Sequence, residues 1–89
     1  MLPREKTLKY GINYLTNEEL LALVIKTGPK GSNVFKLVEE IIEKANGFKN
    51  LLTLTYEELT SIKGIGKAKS LELLAILEIA RRLSSMDTI

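Results

Sequence analysis

The residues best suited to chemistry are Ile62-Lys63-Gly64-Ile65-Gly66-Lys67-Ala68-Lys69. They offer no nucleophile and no acid–base pair; what they offer is a place for an anion. Two glycines around one apolar residue make a bend so tight that a side chain is not expected to fit at either end. Glycine takes positive φ without a Cβ penalty and lets a ligand come close to the main chain. Gly66 falls where the next helix should begin, and the first N–H groups of a helix have no intrahelical acceptor. Those donors and the positive end of the helix dipole favour an anion. Lys63, Lys67 and Lys69 make a nucleic-acid phosphate the natural one. Its oxygen would accept hydrogen bonds from the N–H groups of Gly66 and Lys67, with Ala68 as a third donor. Ile65 would tuck between the helices and hold the bend.

A plainer reading stands beside this one. A Gly-apolar-Gly triplet also makes an ordinary helix–helix turn, and surface lysines often only solvate a face. Leu59 and Ile62 before the triplet, Ala68 after it and a long apolar helix beyond tilt the balance toward a helix-hairpin-helix. Ser70 stands where many such hairpins carry Ala, and it is small enough to keep the helix crossing. Lys26, Gly28, Lys30 and Gly31 form a second, weaker candidate for a phosphate. Its loop is longer, and Pro29 has no N–H to give.

The composition limits what else the chain can be. Eighty-nine residues make one domain near the lower size for a stable core. Cysteine and histidine are absent, which removes thiol chemistry, disulfides, histidine acid–base catalysis and any ordinary zinc site. No metal or cofactor is expected. The net charge of +2 is small, but its placement is uneven. No acid lies between Leu20 and Val38 or between Leu59 and Leu71, where the lysines of the two turns sit. No apolar run has signal-peptide or membrane-spanning length, so a cytoplasmic protein is the default expectation.

The elements that must position the bend read as helices throughout. Pro3 suits an early helical position and Gly11 should end that helix. Leu15-Thr16-Asn17-Glu18-Glu19-Leu20 predicts a capping box, with Leu15 and Leu20 as the hydrophobic staple, and a helix to about Lys26. The stretch 27–32 is a turn by composition, with Ser32 or Asn33 as the next cap. Val34, Val38, Ile41, Ile42 and Ala45 recur at helical spacing with Phe35 beside them, and Asn46-Gly47 should stop that helix. Phe48, Leu51 and Leu52 of the connector up to Leu54 are expected to pack inward. Leu54-Thr55-Tyr56-Glu57-Glu58-Leu59 then repeats the earlier start signal at every position but one. This is either an internal duplication, which would make the fold a degenerate double hairpin, or two good capping boxes reached independently.

The last helix, about Lys67 to Leu83, is apolar around most of its circumference. It should therefore be buried on most faces, with Glu72, Glu78, Arg81 and Arg82 reaching solvent. The expectation is an all-α bundle of about five helices with a helix-hairpin-helix, like the small helical domains of the SAM-like or RuvA C-terminal type. Residues 1–83 would form a single domain, and 84–89 a tail or the start of a linker.

Taken together, Pro3-Arg4-Glu5-Lys6, Leu8, Gly11, Leu15-Thr16, Glu19-Leu20-Leu21-Ala22 and Lys26-Thr27-Gly28 resemble the amino-terminal region of the RadC family of bacterial DNA-repair-associated proteins. Ile62 to Gly66 with Ala68-Lys69 resembles the helix-hairpin-helix of the same region. The resemblance covers nearly the whole chain. It implies a DNA-repair association and, in longer members, a carboxy-terminal JAB/MPN domain with a metalloprotease-like zinc site of His, Asp and Glu. No histidine exists here to match such a site, so no catalytic or metal residue carries over. The resemblance implies a truncated or isolated domain.

The leading expectation is a DNA-binding module that grips duplex or branched DNA without reading sequence. The alternative is a helical domain that docks a neighbouring domain or a repair or replication partner. A glycosylase or lyase of the helix-hairpin-helix kind needs a catalytic Asp in a pocket for a flipped base. The only Asp is Asp87, near the chain's end, so an enzyme is not expected.

Overall fold

The structure, a computed structural model, describes residues 1–26 and 34–86, and these are all-helical. Helix α1 spans Pro3–Tyr10, α2 Asn17–Ile25, α3 Val34–Ala45, α4 Tyr56–Thr60 and α5 Lys67–Met86. Two 3-10 segments, Ile12–Tyr14 and Phe48–Thr53, join them. The composition-based turn at 27–32 and its caps Ser32 and Asn33 fall outside the described residues. Among the described residues, no helix is long and apolar enough to cross a membrane.

Chain contacts divide the protein into two units, Met1–Glu40 and Ile41–Ile89. In the first, α1 packs against α2 and against the 3-10 turn that follows it. Pro3 stands at the first helical position, and Gly11 ends α1 with φ +106°. The N–H of Gly11 reaches back to the Thr7 carbonyl at 2.8 Å. The predicted capping box of α2 is formed: the Glu19 N–H donates to Thr16 Oγ1 at 3.1 Å, and the Thr16 N–H to Glu19 Oε1 at 2.8 Å. Leu15 is buried beside that cap, as a staple residue should be. Lys6 Nζ also donates to the Glu19 carboxylate at 3.0 Å, so one side chain both caps α2 and ties α1 to it. The buried apolar residues of this unit include Leu21, Ala22, Ile25, Leu37 and Val38.

In the second unit, α3 ends as expected at Asn46-Gly47. Asn46 takes the left-handed conformation with φ +65°, and the N–H groups of Asn46 and Gly47 bond the carbonyls of Glu43 and Ile42. That pattern satisfies two carbonyls that the helix end would otherwise leave open. The second capping box repeats the first closely: Glu58 N–H to Thr55 Oγ1 at 3.1 Å and Thr55 N–H to Glu58 Oε1 at 3.0 Å. The two copies then diverge, nine helical residues following the first and five the second.

Three expectations are corrected. Leu52 points outward while Leu51 and Leu54 are buried, because a 3-10 segment turns every three residues and cannot bury adjacent leucines together. The largest difference concerns α5. It packs on α4 and on the second 3-10 segment, and only Ser70, Leu73 and Leu77 are buried. Ile76, Ile79, Leu83 and Met86 are 40, 58, 62 and 69% exposed. They recur at spacings of three and four, so they form one stripe on a face away from Leu73 and Leu77. An apolar circumference announces that a helix could be surrounded, not that enough neighbours exist to surround it. The helix also continues to Met86, past the expected end at Leu83.

Candidate functional site

The candidate site is the connection between α4 and α5, residues 61–66, with the first turn of α5. Helix α4 closes with the Ser61 N–H on the Glu57 carbonyl at 3.1 Å and the Ile62 N–H on the Leu59 carbonyl at 3.1 Å. The chain then reverses in four residues. Gly64 has φ +101°, the left-handed region where a side chain is strained, so its glycine is required by the bend. The Ile65 N–H bonds the Ile62 carbonyl at 3.0 Å and locks the turn. Ile62 and Ile65 are both buried, 5 and 4% exposed, and they anchor the loop from beneath.

Gly66 behaves differently from the expectation that neither glycine has room. A Cβ added there would meet no atom of the described residues within 4 Å. The protein itself therefore does not need glycine at this position, and the space above its main chain is open. The Gly66 carbonyl accepts from the Ser70 N–H at 3.0 Å, which makes Gly66 the cap of α5. The N–H groups of Lys67 and Ala68 lie in the first turn, where a helix has no acceptor of its own to give. Lys63, Gly64, Gly66, Lys67 and Ala68 are all exposed.

The three lysines are not equivalent. Lys63 and Lys67 are exposed and enter no ion pair among the described residues. Lys69 is half-buried and its Nζ sits 3.3 Å from the carboxylate of Glu72, three residues along the same helix. The acid-free window read from the sequence stops at Leu71, and a helix turn brings the next residue back within reach. Lys69 is thus the least available cation of the three.

Beneath the same turn lies a residue that sequence reasoning treated only as a small spacer. Ser70 is wholly buried, and its Oγ has no hydrogen-bond partner among the described residues. Of the second candidate site, Lys26 is exposed and caps α2 in the left-handed conformation with φ +30°. Gly28, Lys30 and Gly31 lie outside the described residues.

Comparison with known proteins places this geometry in a family. The sequence profile described as UPF0758 N-terminal matches residues 1–71, which includes the whole of the α4–α5 connection. Two UPF0758 proteins of Desulfitobacterium hafniense, from strains DCB-2 and Y51, are 44% identical over 87 residues, 98% of this chain and 38% of theirs. A third, of Clostridium novyi strain NT, is 42% identical over 83 residues, 93% of this chain and 36% of the relative. The chain thus spans little more than a third of the length of these curated relatives. No solved structure matches it. With most of its length matched by the family's amino-terminal profile, the chain belongs to the UPF0758 family.

Proposed function

We propose that this chain is a sequence-independent DNA-binding module of a RadC-like, DNA-repair-associated protein of the cytoplasm, gripping phosphates through a helix-hairpin-helix formed by α4, residues 61–66 and α5. The observation that carries the reading is the open main chain at Gly66. A glycine that the fold does not require, at the start of a 20-residue helix and between two exposed lysines, fits close approach by an anion. The phosphate oxygen accepts from the N–H groups of Gly66, Lys67 and Ala68; Lys63 and Lys67 add charge, and Lys69 contributes less because Glu72 holds it. Such contacts fix position on a duplex without reading bases.

Affinity is then weak and steeply salt-dependent. Dissociation constants fall roughly in the 10⁻⁴ to 10⁻⁶ M range, with a log–log salt slope of about −0.9 per phosphate neutralised. The test is fluorescence anisotropy of a labelled duplex titrated at several salt concentrations. Lys67→Gln should weaken binding and lower the slope by about 1, independent of the duplex sequence. Binding that is absent at low salt, or unchanged in Lys63→Glu and Lys67→Glu, overturns the reading.

A second reading, docking of a neighbouring domain or protein partner, is favoured by one observation: the exposed stripe of Ile76, Ile79, Leu83 and Met86 on α5. Contiguous exposed apolar surface of this kind marks interaction faces. The stripe lies beyond residue 71, where the match to the amino-terminal profile ends. The two readings use different parts of α5. Lysine variants at the turn test the first, and charged variants on the stripe test the second.

A further inference from the structure

The first unit carries a second surface that the hairpin leaves unexplained. Within seven residues, Leu8, Tyr10, Ile12 and Tyr14 are 79, 52, 55 and 63% exposed. Leu8 and Tyr10 stand on the end of α1, and Ile12 and Tyr14 on the hydrogen-bonded turn that follows it. The N–H groups of Tyr14 and Leu15 bond the carbonyls of Gly11 and Ile12 at 3.2 and 3.1 Å. Gly11 has φ +106°, and a Cβ there would lie 2.9 Å from Asn13 Oδ1, so the turn admits little but glycine. The rings of Tyr10 and Tyr14 stand 6.3 Å apart between centroids and are tilted by 59°. Lys9 Nζ lies 5.4 Å from the Tyr10 centroid.

Charge narrows the choice of ligand. Before Glu18 the only acid is Glu5, against Arg4, Lys6 and Lys9. The Glu5 carboxylate accepts from the Leu2 N–H at 3.2 Å at the start of α1, and Lys6 is taken by Glu19. Arg4 and Lys9 remain as exposed cations on α1. Exposed aromatic faces beside cations suit a ligand with π-faces and a negative backbone. A duplex hides its base faces; a single strand offers them.

We propose that Tyr10 and Tyr14, with Lys9 and Arg4, form a platform that stacks the unpaired bases of single-stranded nucleic acid. The platform shares no residue with the hairpin and takes from the hairpin reading only that this chain meets nucleic acid. The two sites divide the work: phosphates at residues 63–68, base faces at Tyr10 and Tyr14.

The chain suits a direct optical test, since it has three tyrosines and no tryptophan. Intrinsic tyrosine emission is followed while the protein is titrated with a thymidine 12-mer at low salt. Stacking quenches emission, and in anisotropy of a labelled 12-mer the double variant Tyr10→Leu, Tyr14→Leu binds about tenfold or more weakly than the wild type. Leucine keeps apolar bulk and removes only the π-face, and circular dichroism confirms that the variant is folded. Lys63→Glu with Lys67→Glu should lose duplex binding yet keep the quenching, which separates failure of the hairpin from failure of the platform. The proposal is overturned if the 12-mer does not bind, which leaves the face to a protein partner. It is equally overturned if the tyrosine variant binds as the wild type does, or if inorganic polyphosphate competes as well as the 12-mer.

Discussion

At the residue scale the two glycines of the bend have opposite roles. Gly64 is conformational: its φ of +101° makes Gly64→Ala strained, at a cost of about 1 kcal/mol or more in a chemical denaturation curve. Gly66 is spatial: Gly66→Ala should leave stability within about 0.5 kcal/mol, because its Cβ meets nothing. The same change should weaken duplex binding several-fold in the anisotropy assay, because the methyl group occupies the space a phosphate needs. Ser70 offers a third test. Its buried Oγ has no partner among the described residues, and an unpaired buried hydroxyl is destabilising. Ser70→Ala should therefore raise stability by about 1 kcal/mol, read as a rise of roughly 4–8 °C in Tm for a domain of this size. A lower Tm would show that the hydroxyl does have a partner.

At the element scale the two capping boxes are the same device used twice, and in the first a lysine joins the cap. Glu19 is held below the ordinary carboxylate value of 4.5, first by the Thr16 N–H that it accepts and then by the hydrogen bond from Lys6. A carboxylate whose value is lowered by folding adds stability that is complete above 4.5 and is lost as pH falls through the lowered folded value. Glu78 is lowered in the same direction, chiefly by the hydrogen bond from Arg82 and also by Arg81, and acts in the same acid window. Glu19→Gln keeps a side chain able to accept from the Thr16 N–H and removes only the charge. At neutral pH it should melt below the wild type, and the gap should close as pH drops below 4.5. Thermal melts followed by circular dichroism across that range check the sign; a gap that widens in acid would contradict it.

At the scale of the whole molecule, the question is why α5 keeps so much apolar surface in water. Helix α5 packs on α4 and the second 3-10 segment, Leu73 and Leu77 are its buried leucines, and among the described residues Ile79 and Leu83 stay exposed. Replacing both exposed residues by Glu should change Tm little, since neither contributes to the buried core. It should also reduce binding of an apolar dye such as ANS. A large loss of stability would show that the stripe is packed after all. The matched region makes up 36–38% of the length of the relatives. The size of the chain is consistent with the exposed stripe: small domains bury a modest fraction of their surface.

Local rules made much of this fold legible from residues alone. Thr16 and Glu19, Thr55 and Glu58, Gly11, and Asn46-Gly47 act through neighbours three to five positions away. Their geometry is therefore written in the sequence within one turn of chain. The bend at Gly64, closed by the Ile65 N–H on the Ile62 carbonyl, was legible for the same reason. What the tertiary structure decided were questions of which neighbours are present among the described residues: that α5 buries Leu73 and Leu77 but not Ile79 or Leu83, that Leu52 points out, that Gly66 has open space, and that the buried Ser70 hydroxyl finds no partner there. Burial depends on surfaces brought together from distant positions, and no periodicity along one helix records how many of them there are.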